Sequence, residues 1–280
     1  MLPELIFREE RLQNLSLVAF LGLTCSILGF KIAEFVFPSE LGLVAVFLAA
    51  IPLVYPLTKY FLEDEKNQRP HVPEVLTYGA LFLGQVVGFF VIGYFNPEAL
   101  SLQVSMFQPQ IASMGITGYA TSGNVFMQIL LNNLRVFTVI FGVATIIGSA
   151  GAFILTWNAS VLGVFLAVLT KELSGSYEQI ITGTELVPSP LAYVPHASFE
   201  MTGFIVAGIS GSLLSASLYR TVNSFLEETE TSDLKSPKGI LKDIRILLEE
   251  LIEKVHWLDY MKMIGLGLLL VLVGAILETA

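Results

Sequence analysis

The chain has 280 residues, 54% of them hydrophobic and 14% charged, and a mean hydropathy of +0.72, which is more apolar surface than a water-soluble fold of this size can hide. A net charge of −9 with a pI near 4.9 argues against nucleic acid as a partner, because phosphate binding relies on clustered Lys and Arg to release counterions. Its one cysteine, Cys25, sits in an apolar run, so no disulfide framework or thiolate metal site can be drawn and it reads as a small buried hydrophobe.

A hydrocarbon core of roughly 30 Å takes about 20 apolar residues in helix, since an unpaired backbone amide in lipid costs several kcal/mol. The first such stretch is Leu15 to Phe37. Arg8 and Arg11 ahead of it suggest a secretory signal, but the run is too long, contains Lys31 and Glu34 and ends in Pro38 without a small-residue cleavage site. Leu41 to Leu62 follows, with Pro52 and Pro56 one turn apart and expected to kink it. Then come Leu76 to Phe95, Phe126 to Ser149, Gly151 to Lys171, Pro195 to Tyr219 and Tyr260 to Leu277. The fourth and fifth meet at Gly148, Ser149, Ala150 and Gly151, small residues that suit a tight turn; one helix from Phe126 to Lys171 would be about 69 Å long. The fold class is therefore all-α, a polytopic transmembrane bundle of about seven spans.

The connecting segments divide the chain into a membrane part at 1–95, an extracytoplasmic loop at 96–125, a core membrane part at 126–220, a cytoplasmic linker with an amphipathic helix at 221–258 and a last span at 259–280. The 96–125 segment is rich in Gln, Met, Ser and Gly with Glu98 its only charge, which suits a loop folded onto the outer face of the bundle. After a polar linker, Ile240, Leu241, Ile244, Leu247, Leu248, Leu251, Ile252 and Val255 recur at helical period, opposite Lys242, Asp243, Arg245, Glu249, Glu250, Glu253 and Lys254. This juxtamembrane helix packs on the protein's own cytoplasmic ends or the lipid interface, or it docks another protein. Cations set the orientation: with the N-terminus inside, nearly all Lys and Arg fall in or beside cytoplasmic segments, Lys171 alone lies at an outer boundary, and the C-terminus is outside.

In lipid the informative residues are polar, because a charge near mid-membrane costs at least about 2.5 kcal/mol and must face protein or water. The fourth span opens with Asn132, Asn133 and Arg135, the fifth carries Asn158, and the sixth opens with Pro195, His196 and Glu200. Both the fourth and sixth enter from outside, so Arg135 and Glu200 lie at comparable shallow depth in the outer half and are expected to pair, with Asn and His alongside. Such a cluster is a clasp that fixes helix register; a substrate or proton pathway is the second reading. A metal site is disfavoured, since one His and one Glu supply too few ligands. Lys31 and Glu34 read as a local salt bridge. Two tracks of small residues, Gly203, Ala207, Gly211 and Ser215 in the sixth span and Ala80, Gly84 and Gly88 in the third, point to close helix packing within the chain, or to a homodimer seam.

The strings Asn132-Asn133-Leu134-Arg135-Val136, Asn158-Ala159-Ser160-Val161-Leu162-Gly163 and Pro195-His196-Ala197-Ser198-Phe199-Glu200, in that order and at those rough distances, resemble the motifs of the stage II sporulation protein M family. The resemblance covers the fourth to the sixth span; Ala159 and Ala197 stand where the family usually has Gly. It implies a multipass, non-enzymatic membrane scaffold of a cell-envelope remodelling complex, assembled with a peptidoglycan hydrolase and a partner membrane protein. The expected surroundings are the plasma membrane bilayer and other membrane proteins, with no cofactor and no metal. A permease subunit served by a separate ATPase is the alternative, suited by the outer loop with its single charge, the proline-bearing helix and the polar cluster. An intramembrane serine protease is a remote third: Gly208-Ile209-Ser210-Gly211 fits G-x-S-G, but His196 precedes Ser210 on the same helix by about 21 Å.

Overall fold

The computed structural model describes residues 14–67, 72–106, 123–148, 151–175, 190–228 and 237–279, and every regular element among them is helical. In chain order these are α1 (Leu15–Val36), α2 (Leu41–Asn67), α3 (Val72–Phe95), α4 (Gly123–Ile147), α5 (Gly151–Gly175), α6 (Pro190–Glu228), α7 (Pro237–Lys254) and α8 (Trp257–Thr279). All but α7 are long and apolar enough to cross a membrane, seven in total, so the protein is a multipass, membrane-embedded helical bundle.

Several helices outrun the apolar stretches that announce them. α2 continues to Asn67, α3 starts at Val72 rather than Leu76, and α6 runs from Pro190 to Glu228, beyond both Pro195 and Tyr219. Apolar length measures the lipid, whereas a helix ends only where its backbone hydrogen bonds find another partner. Pro190 therefore takes the first turn that the sequence reading gave to Pro195, which lies inside α6. α2 passes through Pro52 and Pro56 without interruption. At the start of α1 the Asn14 side chain accepts from the Leu17 amide at 3.3 Å. Between α4 and α5, Gly148 adopts φ +64°, a left-handed conformation that glycine alone takes freely, and this closes the hairpin expected there.

The helices sort into two groups. α1 and α3 run parallel: a side chain at Gly84 would strike the Ala19 carbonyl, one at Gly22 the Leu81 carbonyl, and one at Gly88 would come within 2.7 Å of Ser26. α2 lies antiparallel to α1 where Gly29 meets Ala45 and Ala49, and α5 runs parallel to α3 where Gly163 meets Val86 and Phe90 and Gly93 meets Val164 and Ala167. The second group is α4, α6 and α8. Gly211 of α6 presses on Phe141 and Ala144 of α4, and Gly203 presses on Gly267 and Val271 of α8. α5 thus packs with α3 while its hairpin partner α4 packs with α6. The central post is α6, 78% of whose span is buried, against 22% for α4 and 28% for α8. Lipid tails gain nothing from apolar contact between helices, so close backbone approach over small residues is what holds such a bundle.

Both small-residue tracks are therefore filled by the chain's own helices. Beyond α3 a short 3-10 turn at Pro97–Leu100 and a helical stretch at 101–106 fold back, burying Leu100 and Gln103 completely; 107–122 lies outside the described residues. Lys31 and Glu34 form the expected bridge at 2.7 Å. The side chains of 237–244 in α7 lie outside the described residues; from Arg245 on, Leu247 and Leu251 are half-buried, Val255 is buried, and Leu248 and Ile252 are exposed. Trp257 donates its indole N–H to the Leu251 carbonyl at 3.0 Å, tying α7 to the start of α8.

Gly84→Ala is expected to lower the unfolding free energy in detergent by about 1–3 kcal/mol, because the added methyl has only backbone to displace. Gly79→Ala, where the space is open, should leave the midpoint unchanged or raise it slightly. Equal midpoints for the two variants would contradict the α1–α3 contact.

Candidate functional site

The polar residues of α4 separate by angle. Asn133, Phe137, Ile140 and Ala144 are buried at spacings that keep them on one face, toward α6. Arg135 lies two residues past Asn133, about 200° round the helix, and is exposed together with Asn132. The Asn133 Nδ2 donates to Glu200 Oε1 at 2.5 Å, inside the bundle. The expected Arg135–Glu200 fork is accordingly not formed: no rotation of α4 brings both residues to α6, and the amide occupies the place assigned to the guanidinium.

α8 completes this joint. A side chain at Gly274 would run into Glu200 Cγ and the His196 carbonyl, and two turns earlier Gly267 fits between the Phe137 ring and the Gly203 carbonyl. Three helices therefore meet at Glu200, and α8 reaches it only because two of its residues lack side chains. His196, half-buried, stands one turn before Glu200 on the same helix. Asn158 is not part of the joint; it lies on α5 and gives its amide to the Ile154 carbonyl of its own helix at 2.8 Å. Ala207 is fully buried on the face between Gly203 and Gly211, and Ala80 is half-buried beside Gly84 and Gly88.

Other polar joints escaped the sequence reading. Gln85 of α3 donates to Thr156 Oγ1 of α5 at 2.9 Å, both buried. A lone amide midway along an apolar span was the available signal, since it must find a partner within the protein. Gln103 donates to the Gly42 carbonyl at 2.9 Å and to Ser160 Oγ at 3.3 Å, so the folded-back segment is pinned to α2 and α5. Glu74, buried near the start of α3, accepts from the Tyr60 hydroxyl at 3.2 Å; standing two residues inside the helix start, it reads in the sequence as a solvated end. Tyr78 hydrogen-bonds with Ser212, whose hydroxyl also donates to the Gly208 carbonyl at 2.8 Å. Ser210, the serine of the G-x-S-G string, is fully buried and donates to the Val206 carbonyl at 2.6 Å. Among the described residues no three His, Cys, Asp or Glu side chains gather as a ligand set.

The family described as Stage II sporulation protein M matches residues 77–280. The chain belongs to that family. No curated protein and no solved structure matches it. The match reaches further than the three motif strings: it begins inside α3 and takes in α7 and α8, leaving α1 and α2 outside. Both partners of the Asn133–Glu200 bond, and the Gly274 that lets α8 close over it, thus fall within the stage II sporulation protein M region.

Asn133→Ala and Glu200→Ala should each destabilise the detergent-solubilised protein by about 1–3 kcal/mol, each leaving a buried polar group unpaired. The double variant should fall short of the sum by about 0.5–3 kcal/mol, read from thermal or denaturant unfolding. Strict additivity would show that the two side chains do not share a bond.

Proposed function

We propose that this family member is a non-catalytic membrane scaffold, a structural component of a cell-envelope remodelling complex in the plasma membrane. The observation that carries the reading is the use made of its buried polar groups. Asn133 is bonded to Glu200, Gln85 to Thr156, Gln103 to Gly42 and Ser160, and Ser210, like the half-buried Asn158, to its own helix. Each bond between helices fixes their relative position, as a rigid platform requires, and each bond within a helix withdraws a group from chemistry. A permease would instead string such groups along a route through the bundle.

We infer the orientation from the distribution of cations, with the start of α1 and all of α7 in the cytoplasm and the end of α8 outside. Cys25 is buried, so single cysteines added elsewhere report cleanly. With Cys25 replaced by Ala, Ser39→Cys should react with a membrane-impermeant maleimide in intact cells, whereas Glu253→Cys should react only after permeabilisation. The opposite pattern would invert the topology.

For the scaffold itself, affinity isolation from native membranes in mild detergent should recover envelope-active proteins, a peptidoglycan hydrolase among them. Stoichiometric recovery of a nucleotide-binding subunit would favour the permease reading instead.

A further inference from the structure

A helix that borders lipid ordinarily presents hydrocarbon outward, and α8 does so with Leu266, Leu268, Leu269 and Ile276 exposed along its middle. α4 behaves differently. It is the least buried of the spans, at 22%, yet its outward side carries Gln128, Asn132, Arg135 and Thr138. Within that side Gln128, Asn132, Arg135, Val139, Gly142 and Ile146 recur at spacings of four, three, four, three and four residues. At 100° per residue they fall within an arc of about 80°, the period of a seam that meets another helix. Val139 is 53% and Ile146 82% exposed. A side chain built at Gly142 meets nothing within 4 Å among the described residues, whereas those at Gly203 and Gly211 press on neighbouring helices. The stripe thus offers an open notch of the kind that lets a second backbone approach. Arg135 stands nine residues from Phe126, about 14 Å along the axis and near the middle of the span, deeper than the outer-end position read from the sequence. Glu200, the acid the sequence offered it, is engaged with Asn133 instead.

We propose that this stripe of α4 docks a transmembrane helix of a different membrane protein, one that carries an Asp or Glu at the depth of Arg135. Charge selects the occupant. In a two-fold dimer through the stripe, with α4 parallel to its copy, each Arg135 would face the other. A purely apolar helix would leave the guanidinium unpaired in hydrocarbon, while a carboxylate accepts it through two parallel hydrogen bonds. The inference rests on the chain being one component of a membrane assembly.

A photo-crosslinking residue in place of Val139, in native membranes, is expected to form an adduct with a second polypeptide, and the linked peptide should be a membrane span containing Asp or Glu. Arg135→Gln should weaken that adduct by about tenfold or more, Arg135→Lys should retain part of it, and Arg135→Glu combined with Lys in place of the partner's acid should restore it. Because Arg135 is exposed, Arg135→Gln should leave the unfolding midpoint in detergent unchanged, which separates lost docking from lost fold. The same probe at Leu269 of α8 should give lipid adducts. The proposal is overturned by lipid adducts alone at Val139, by an adduct with a second copy or with another segment of the same chain, or by an adduct undiminished in Arg135→Gln. If any of these is found while other proteins still co-purify, the seam fails and the assembly reading stands.

Discussion

The fold depends on how closely two helix backbones can approach where water supplies no drive to bring them together. Inside a bilayer, exchanging lipid for a neighbouring helix changes apolar contact very little. What remains is dispersion over intimate surfaces and hydrogen bonds between groups with no other partner. The chain meets the first need with glycines set against backbone, as at Gly22, Gly84, Gly163 and Gly203, and the second with isolated amides and hydroxyls on facing helices. The two devices coincide at Glu200, where Gly274 clears the space in which α8 closes over the Asn133 bond.

This economy explains the division of labour among helices. From Gly203 to Ser217 α6 is surrounded on nearly every side, and its small and apolar residues leave that stretch no outward face to spare. α3 plays the matching part in the other group, touching α1 through Gly84 and Gly88 and α5 through Gly93. The remaining spans line these two posts and show lipid their large side chains, such as Phe20, Phe35 and Leu269. Family membership begins within α3 and runs to the end of the chain, so it contains both posts and the Glu200 joint.

Much of this was legible in the sequence because lipid imposes a length. The spans, the α4–α5 turn at Gly148 and the Lys31–Glu34 bridge follow from counting apolar residues and local spacing. The small-residue tracks announced close packing, though not which helix would occupy each one. Pairing across the bundle was harder, because it depends on rotation about each helix axis. Asn133 and Arg135 are two residues apart and compete for the same carboxylate on paper; in space they face opposite ways. Asn158 is similar: a polar side chain within a span is conspicuous, but its own helix supplies a carbonyl that satisfies it. Gln85 and Gln103 carry no local sign of their pairing, because their partners lie 71 and 57 positions away at Thr156 and Ser160.

The parallel pairing of alternate spans bears on how the protein is made. α4 and α6 leave the ribosome well before α8, and the groove they form, with Glu200 and Gly203 lining it, has no occupant until that last helix has been synthesised. During that interval the glycine-lined cleft beside the Asn133–Glu200 pair lacks the helix that fills it. Closure of this joint therefore waits on α8, which follows both α4 and α6 in the chain.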